Sequence, residues 1–239
     1  VPIYKVKLTS KHEIAAGTMA FYFEKPEGFA YKSGQFASWT LINPAETDAE
    51  GNVRAFTLAS APYEDFLMFA TRMRDTAFKR VLKTMGPGAE LTLDAPYGSF
   101  TLHNNASIPA VFLTGGIGVT PFRSIVLQAA HDKLPHKISL FYANNRPEDA
   151  AFLDELMEIH QQNQNYTFIG TMARTEKSSH VWHGETGFIT QAMLLKFIGD
   201  PTLPIYYVAG PRAMALAMGE LLKEAGVSDD NIRTEEFSG

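Results

Sequence analysis

The sequence predicts two domains, an antiparallel six-stranded β-barrel over residues 1–105 and then a parallel α/β sheet of five strands over residues 106–239. A chain of 239 residues with 45% hydrophobic content is long enough for two cores of ordinary size. The first half carries short β-type runs separated by turn residues, whereas the second alternates apolar runs with helical patterns, so the halves fold by different rules.

In the first half the runs are Ile3–Leu8, Met19–Glu24, Phe36–Leu41, Arg54–Leu58, Phe66–Ala70 and Glu90–Asp94, and strands this short suggest a closed barrel. Residues 76–85 instead space their apolar side chains as a helix, with Asp75 as the expected N-cap and Gly86-Pro87-Gly88 as the stop. Asn104-Asn105-Ala106-Ser107 reads as the linker. Beyond it, apolar runs at Ala110–Thr114, Lys137–Ala143, Tyr166–Met172, Ile205–Ala209 and Ile232–Phe237 alternate with helical patterns at Pro121–Ala130, Ala150–Gln162, Thr190–Phe197 and Arg212–Ala225. Such a βαβ series makes a parallel sheet covered by helices, and its ligands bind beyond the carboxyl ends of the strands.

Composition narrows the function. A formal net charge of −5 argues against nucleic acid as a partner, and the absence of cysteine excludes a disulfide framework, thiolate zinc and a cysteine-ligated iron–sulfur cluster in this chain. His180-Val181-Trp182-His183 lacks a clear third ligand, so no metal is expected there. The stretch from Ala95 to Phe122 is free of Asp, Glu, Lys and Arg, but repeated Gly and Pro break it, so no membrane span is expected. The start reads directly into a strand without a charged-then-apolar leader, which predicts a cytoplasmic protein.

Two turns in the second half suit phosphates. Thr114-Gly115-Gly116-Ile117-Gly118-Val119-Thr120-Pro121 joins a strand to a helix. Its glycines let the backbone approach an anion, the helix start supplies free N–H groups, and Pro121 suits the first helical turn. Ala209-Gly210-Pro211 ends another strand of the same sheet, and together the turns would line a crevice for a dinucleotide. In the first half, Arg54-Ala55-Phe56-Thr57-Leu58-Ala59-Ser60 combines an Arg fork for a phosphate, an aromatic ring for a flat heterocycle and a Thr hydroxyl for a ring nitrogen. Arg72 and Arg74 precede the helix expected to begin at Thr76, a competent pyrophosphate site. Each element alone also fits a plain turn or a barrel strand.

As a set, these residues resemble the ferredoxin–NADP reductase superfamily over nearly the whole chain. Residues 54–60 look like its R-x-[YF]-[ST]-x-x-S flavin motif, Gly34-Gln35-Phe36 its P-G-Q-[FY] element with Ser33 in place of proline, and residues 114–121 its [TG]-G-G-x-G-x-[TS]-P turn. Gly184–Ile189 is similar to a later turn, and Glu235-Glu236-Phe237 to the acidic-aromatic ending beside the reacting rings. Phe56 and Ala209 stand where many members have Tyr and Cys.

The resemblance implies a bound flavin, FAD in preference to FMN, reduced by NAD(P)H and discharged to an acceptor such as ferredoxin or flavodoxin. It implies roles at the reacting rings for Thr57, Glu236 and Phe237. Arg54, Phe56, Thr57, Ser60, Arg72, Arg74 and Thr76 would hold the flavin nucleotide. Thr114, Gly115, Gly116, Gly118, Thr120, Pro121, Gly210 and Pro211 would hold the dinucleotide. Arg174, with Lys177 close behind, lies where NADPH-using members carry basic residues, while residues 144–149 resemble members of either preference. The alternative is an electron-transfer or regulatory subunit without turnover of its own, docked on a larger redox complex. A flavin-free dehydrogenase would leave the first hundred residues unexplained.

Overall fold

The structure is a computed structural model that describes residues 2–237; Val1, Ser238 and Gly239, included in the expected domain limits, lie outside the described residues. The first sheet is built from β1 (Ile3–Ala15), β2 (Thr18–Glu24), β3 (Phe36–Leu41), β4 (Val53–Thr57), β5 (Phe66–Arg72) and β6 (Glu90–Tyr97), in the antiparallel order β4-β3-β6-β1-β2-β5. The strand period of two turns alternate side chains inward, so β3 buries Ala37, Trp39 and Leu41 while Phe36, Ser38 and Thr40 stay partly open. Trp39 packs with Phe23 and Phe69 at ring distances of 4.8 and 4.7 Å in the barrel core. The two end strands meet where the Ala59 N–H, just beyond β4, donates to the Met68 carbonyl of β5 at 2.7 Å.

Helix α1 (Ala77–Thr84) interrupts the barrel where its spacing predicts, but the cap is Thr76 and not Asp75. Thr76 Oγ1 accepts from the Lys79 N–H, while Asp75 is drawn off to pair with Arg80.

The second sheet holds β7 (Ala110–Gly115), β8 (Ile138–Asn144), β9 (Tyr166–Met172), β10 (Glu185–Thr186), β11 (Ile205–Pro211) and β12 (Ile232–Phe237), in the parallel order β10-β9-β8-β7-β11-β12. It has six strands where five are expected from sequence. The extra one, β10, is two residues paired with Thr171 and Met172, too short to leave an apolar run. Helices α2 (Thr120–His131), α3 (Leu153–Gln162), α4 (Gln191–Ile198) and α5 (Arg212–Glu224) cover it. Helix α3 starts later than its pattern suggests, because Pro147–Asp149 forms a 3-10 turn and Phe152 takes a left-handed φ of 60°.

Neighbouring residues of β7 and β11 feed opposite cores: Phe112 and Tyr207 join one cluster, Leu113 and Val208 the other. This double burial explains why these strands read as continuous apolar runs. The connection between the sheets is pinned as well. Phe100 packs on Tyr207 at 5.5 Å, and the His103 N–H donates to the Tyr207 hydroxyl at 2.8 Å. Among the described residues, no helix is long and apolar enough to cross a membrane.

Candidate functional site

Strand β7 lies between β8 and β11, so the chain leaves the central strand toward opposite sides of the sheet and opens a crevice at its carboxyl end. The two glycine turns meet there. Thr114 Oγ1 donates to the Ala209 carbonyl at 2.8 Å, and a Cβ at Gly118 would lie 2.5 Å from that same oxygen, so only glycine fits. Gly116 differs: its φ is +56° and a Cβ there would meet nothing within 4 Å. Its backbone faces open space, a left-handed position that glycine occupies at little cost. The Tyr142 hydroxyl braces the turn at 3.1 Å from the Gly116 carbonyl.

This crevice opens into a cavity of about 1000 Å³ that runs from the second sheet to the barrel. Phe56, Thr57, Arg72, Arg74, Gly115, Gly116, Gly118, Thr120, Pro211 and Phe237, all singled out from sequence, line it. Others do not. Ser60 is buried behind the strand, its Oγ accepting the Met68 N–H at 3.1 Å. Thr114 and Pro121 are buried, Gly210 supports the turn from beneath, and Thr76 is spent as a helix cap. Phe56 stacks on Phe69 at 4.4 Å, so one ring face is already covered.

Arg54 also lies off the cavity. Its Nη2 is 3.1 Å from Asp48 Oδ1 and 2.9 Å from Glu50 Oε2, and its Nη1 donates to the Glu50, Gly51 and Val53 carbonyls. The guanidinium therefore staples its own β3–β4 loop. Four cations line the cavity: Arg212 pairs with Glu236 at 3.9 Å, whereas Arg72, Arg74 and Lys79 have no carboxylate within ion-pair distance among the described residues. Burial, with Arg74 and Arg54 nearby, lowers the Lys79 pKa. Three uncompensated cations at one mouth suit a phosphate. Lys79 is absent from the residues expected at the site, although its place three residues after a cap, behind two arginines, is a signal that could have found it.

The chain's end shows a second difference. On β12, Glu235 and Phe237 share a face, and Glu236 points the other way, 3.9 Å from Arg212 Nε. Phe237 lines the cavity, but neither Glu235 nor Glu236 does. Glu235 Oε2 is buried without a hydrogen-bond partner, and burial pushes its carboxyl up to about 7. Asn144, which does line the cavity, carries a buried Nδ2 without a partner. Arg174 is absent from the large cavity but lines a neighbouring one of about 400 Å³ with Arg72, Arg146 and Lys177.

Residues 112–219 match the family model described as the oxidoreductase NAD-binding domain. In fold the chain is similar to the FAD/NAD-binding domain of a nitric oxide dioxygenase from Vibrio cholerae, with a TM-score of 0.84, 19% identity and 98% of each chain covered. A ferredoxin NADP+ reductase from Neisseria gonorrhoeae, solved with FAD and NADP, gives a TM-score of 0.80, 20% identity and 98% coverage of both chains.

Residues 112–219 carry an oxidoreductase NAD-binding domain, and the whole chain shares the two-sheet fold of these solved structures.

Two curated relatives are more distant in organisation. The F component of a Na(+)-translocating NADH-quinone reductase from Idiomarina loihiensis is 28% identical over 79% of this chain and 45% of its own length. The reductase subunit of a glycine betaine monooxygenase from Chromohalobacter salexigens is 26% identical over 92% of this chain and 60% of its own. The chain thus spans about half the length of the curated relatives it matches. The order of the two sheets, the antiparallel one first and the parallel one after it, is part of the fold shared with these solved structures.

Proposed function

We propose that the chain is a flavin-dependent oxidoreductase: residues 1–105 carry FAD, residues 106–239 receive NAD(P)H, and electrons leave to an acceptor such as ferredoxin or flavodoxin. The observation that carries this reading is a single cavity lined at once by the strand of Phe56 and Thr57, the glycine turns and three uncompensated cations. A bound flavin would supply the hydride-accepting chemistry. The protein's part is to bind and orient. Arg72, Arg74 and Lys79 would neutralise the flavin's phosphates, Phe56 and Thr57 would face its ring system, and Gly116 would admit the donor's pyrophosphate to the backbone N–H groups. Phe237 would close the site from β12, on the same strand face as the buried Glu235 carboxyl. Flavin released by denaturing the purified protein, identified as FAD or FMN by chromatography, tests the reading. A colourless protein that releases none would refute it.

A subunit that only relays electrons within a larger assembly is the second reading, favoured because the chain covers about half of relatives that are themselves subunits. Steady-state oxidation of NAD(P)H by an artificial acceptor separates the two.

Arg54 can reach a flavin phosphate only by releasing Asp48 and Glu50. If it does so, Arg54→Ala is expected to weaken flavin binding about tenfold or more, the worth of a charge-assisted phosphate contact, whereas Asp48→Asn strengthens binding by removing a competitor. Flavin titration of the apoprotein measures both, and no change in either variant would leave Arg54 a loop staple only.

Arg174 would hold the donor's 2′-phosphate with Lys177, since both line the smaller cavity and neither has an ion-pair partner among the described residues. Arg174→Ala is then expected to lower kcat/KM for NADPH more than for NADH, by a margin that shrinks with salt. An equal fall for both donors would assign Arg174 to structure.

A further inference from the structure

Helix α2 begins at the glycine turn and docks one face on barrel residues 59–64, which continue directly from Phe56 and Thr57. Ser124 Oγ donates to the Ser60 carbonyl at 2.7 Å, Gln128 Oε1 accepts the Tyr63 N–H at 3.0 Å, and the His131 ring stacks on Tyr63 at 4.0 Å. The centre of this contact is Arg123, only 5% exposed. Its Nε and Nη2 donate to Glu155 at 2.7 Å each, its Nη1 to the Ala59 carbonyl at 2.8 Å, and its Nη1 and Nη2 to Glu64 at 3.0 and 3.2 Å. All five guanidinium N–H groups are used, and the Phe152 ring lies 5.1 Å from the guanidinium carbon. Neither Arg123 nor Glu64 lines the cavity.

The spacing gives this fork its meaning. Arg123 stands three residues after Thr120 at the glycine turn, and Ala59 stands two residues after Thr57, so the clamp joins the two halves of the cavity by short covalent paths. We infer that Arg123 is the positioning residue that sets the flavin strand against the dinucleotide turn, acting on transfer between the two nucleotides and not on the affinity for either. A planar, fixed fork suits this task, because a lysine could carry the charge but could not hold two carboxylates and a carbonyl in one geometry. Small displacements of reacting groups cost rate steeply.

This inference rests on the flavin and NAD(P)H reading. Its test compares wild type with Arg123→Lys, Glu64→Gln and Ser124→Ala, the last two serving if the arginine variant does not fold. Stopped-flow reduction at saturating donor, donor Kd and flavin content are measured on the holoprotein, and hydrogen exchange at residues 59–64 on the apoprotein. Expected is a fall of about tenfold or more in the reduction rate for Arg123→Lys and Glu64→Gln, with donor Kd and flavin content within about twofold of wild type. Exchange at residues 59–64 should be faster in the same variants. An unchanged reduction rate despite faster exchange would overturn the inference, and so would a rate loss that merely follows donor Kd. A wild type that takes up no flavin would instead refute the functional reading, while the exchange data would still report whether the clamp forms.

Discussion

Replacing Gly116 by valine is expected to raise the KM for the nicotinamide donor by about tenfold or more while flavin content stays that of the wild type. The φ of +56° at this residue is unfavourable for a β-branched side chain, with a local cost of about 1–3 kcal/mol. More important for the kinetics, the space beside it belongs to the cavity, and a Cβ there would have no protein atom within 4 Å, so the new methyls would stand where we propose that the pyrophosphate approaches the backbone. The barrel side of the cavity, which we propose holds the flavin, is left intact. Flavin content after gel filtration and kcat/KM for each donor measure the outcome. Unchanged kinetics would make the turn purely structural.

Glu235→Gln is expected to remove a pH dependence from the stability of the apoprotein. Burial raises the native carboxyl to about 7 from an ordinary 4.5, so between these values the folded chain holds a proton that the unfolded chain has released. Stability therefore falls as pH rises through this window and stays lower above it, by an upper bound of about 3–4 kcal/mol that solvent screening reduces. Glutamine carries no charge at any pH, so the variant should gain on the wild type between about pH 5 and pH 8. Urea unfolding at both pH values gives the comparison, and parallel changes in the two proteins would place Glu235 in contact with solvent or a partner in the native state.

The larger features of the fold are legible in the sequence because they follow from periodicity. The six barrel strands alternate sides, and the parallel strands read as apolar runs because neighbouring residues such as Phe112 and Leu113 enter different cores. Strand β10, which leaves no such pattern, has only two residues. Within the site, the glycine turns can be read because backbone geometry demands glycine, whereas the destination of a long charged side chain depends on residues remote in sequence. Arg54 is held by Asp48 and Glu50 of its own loop, and Arg123 by Glu64 of the barrel and Glu155 of helix α3. That Glu235 and not Glu236 is the more buried of the two is open to a simple argument: residues two apart on a strand share a face, and Glu235 therefore lies on the face of Phe237.

The central claim, that one cavity brings a reducible flavin and a nicotinamide donor together, is tested most directly by anaerobic titration of the purified protein with NADH and with NADPH while its visible spectrum is recorded. The account predicts oxidised-flavin absorption bands that bleach as about one equivalent of donor is added, since a two-electron donor meets a two-electron acceptor. A protein without those bands, or one whose bands persist in excess of both donors, would contradict it.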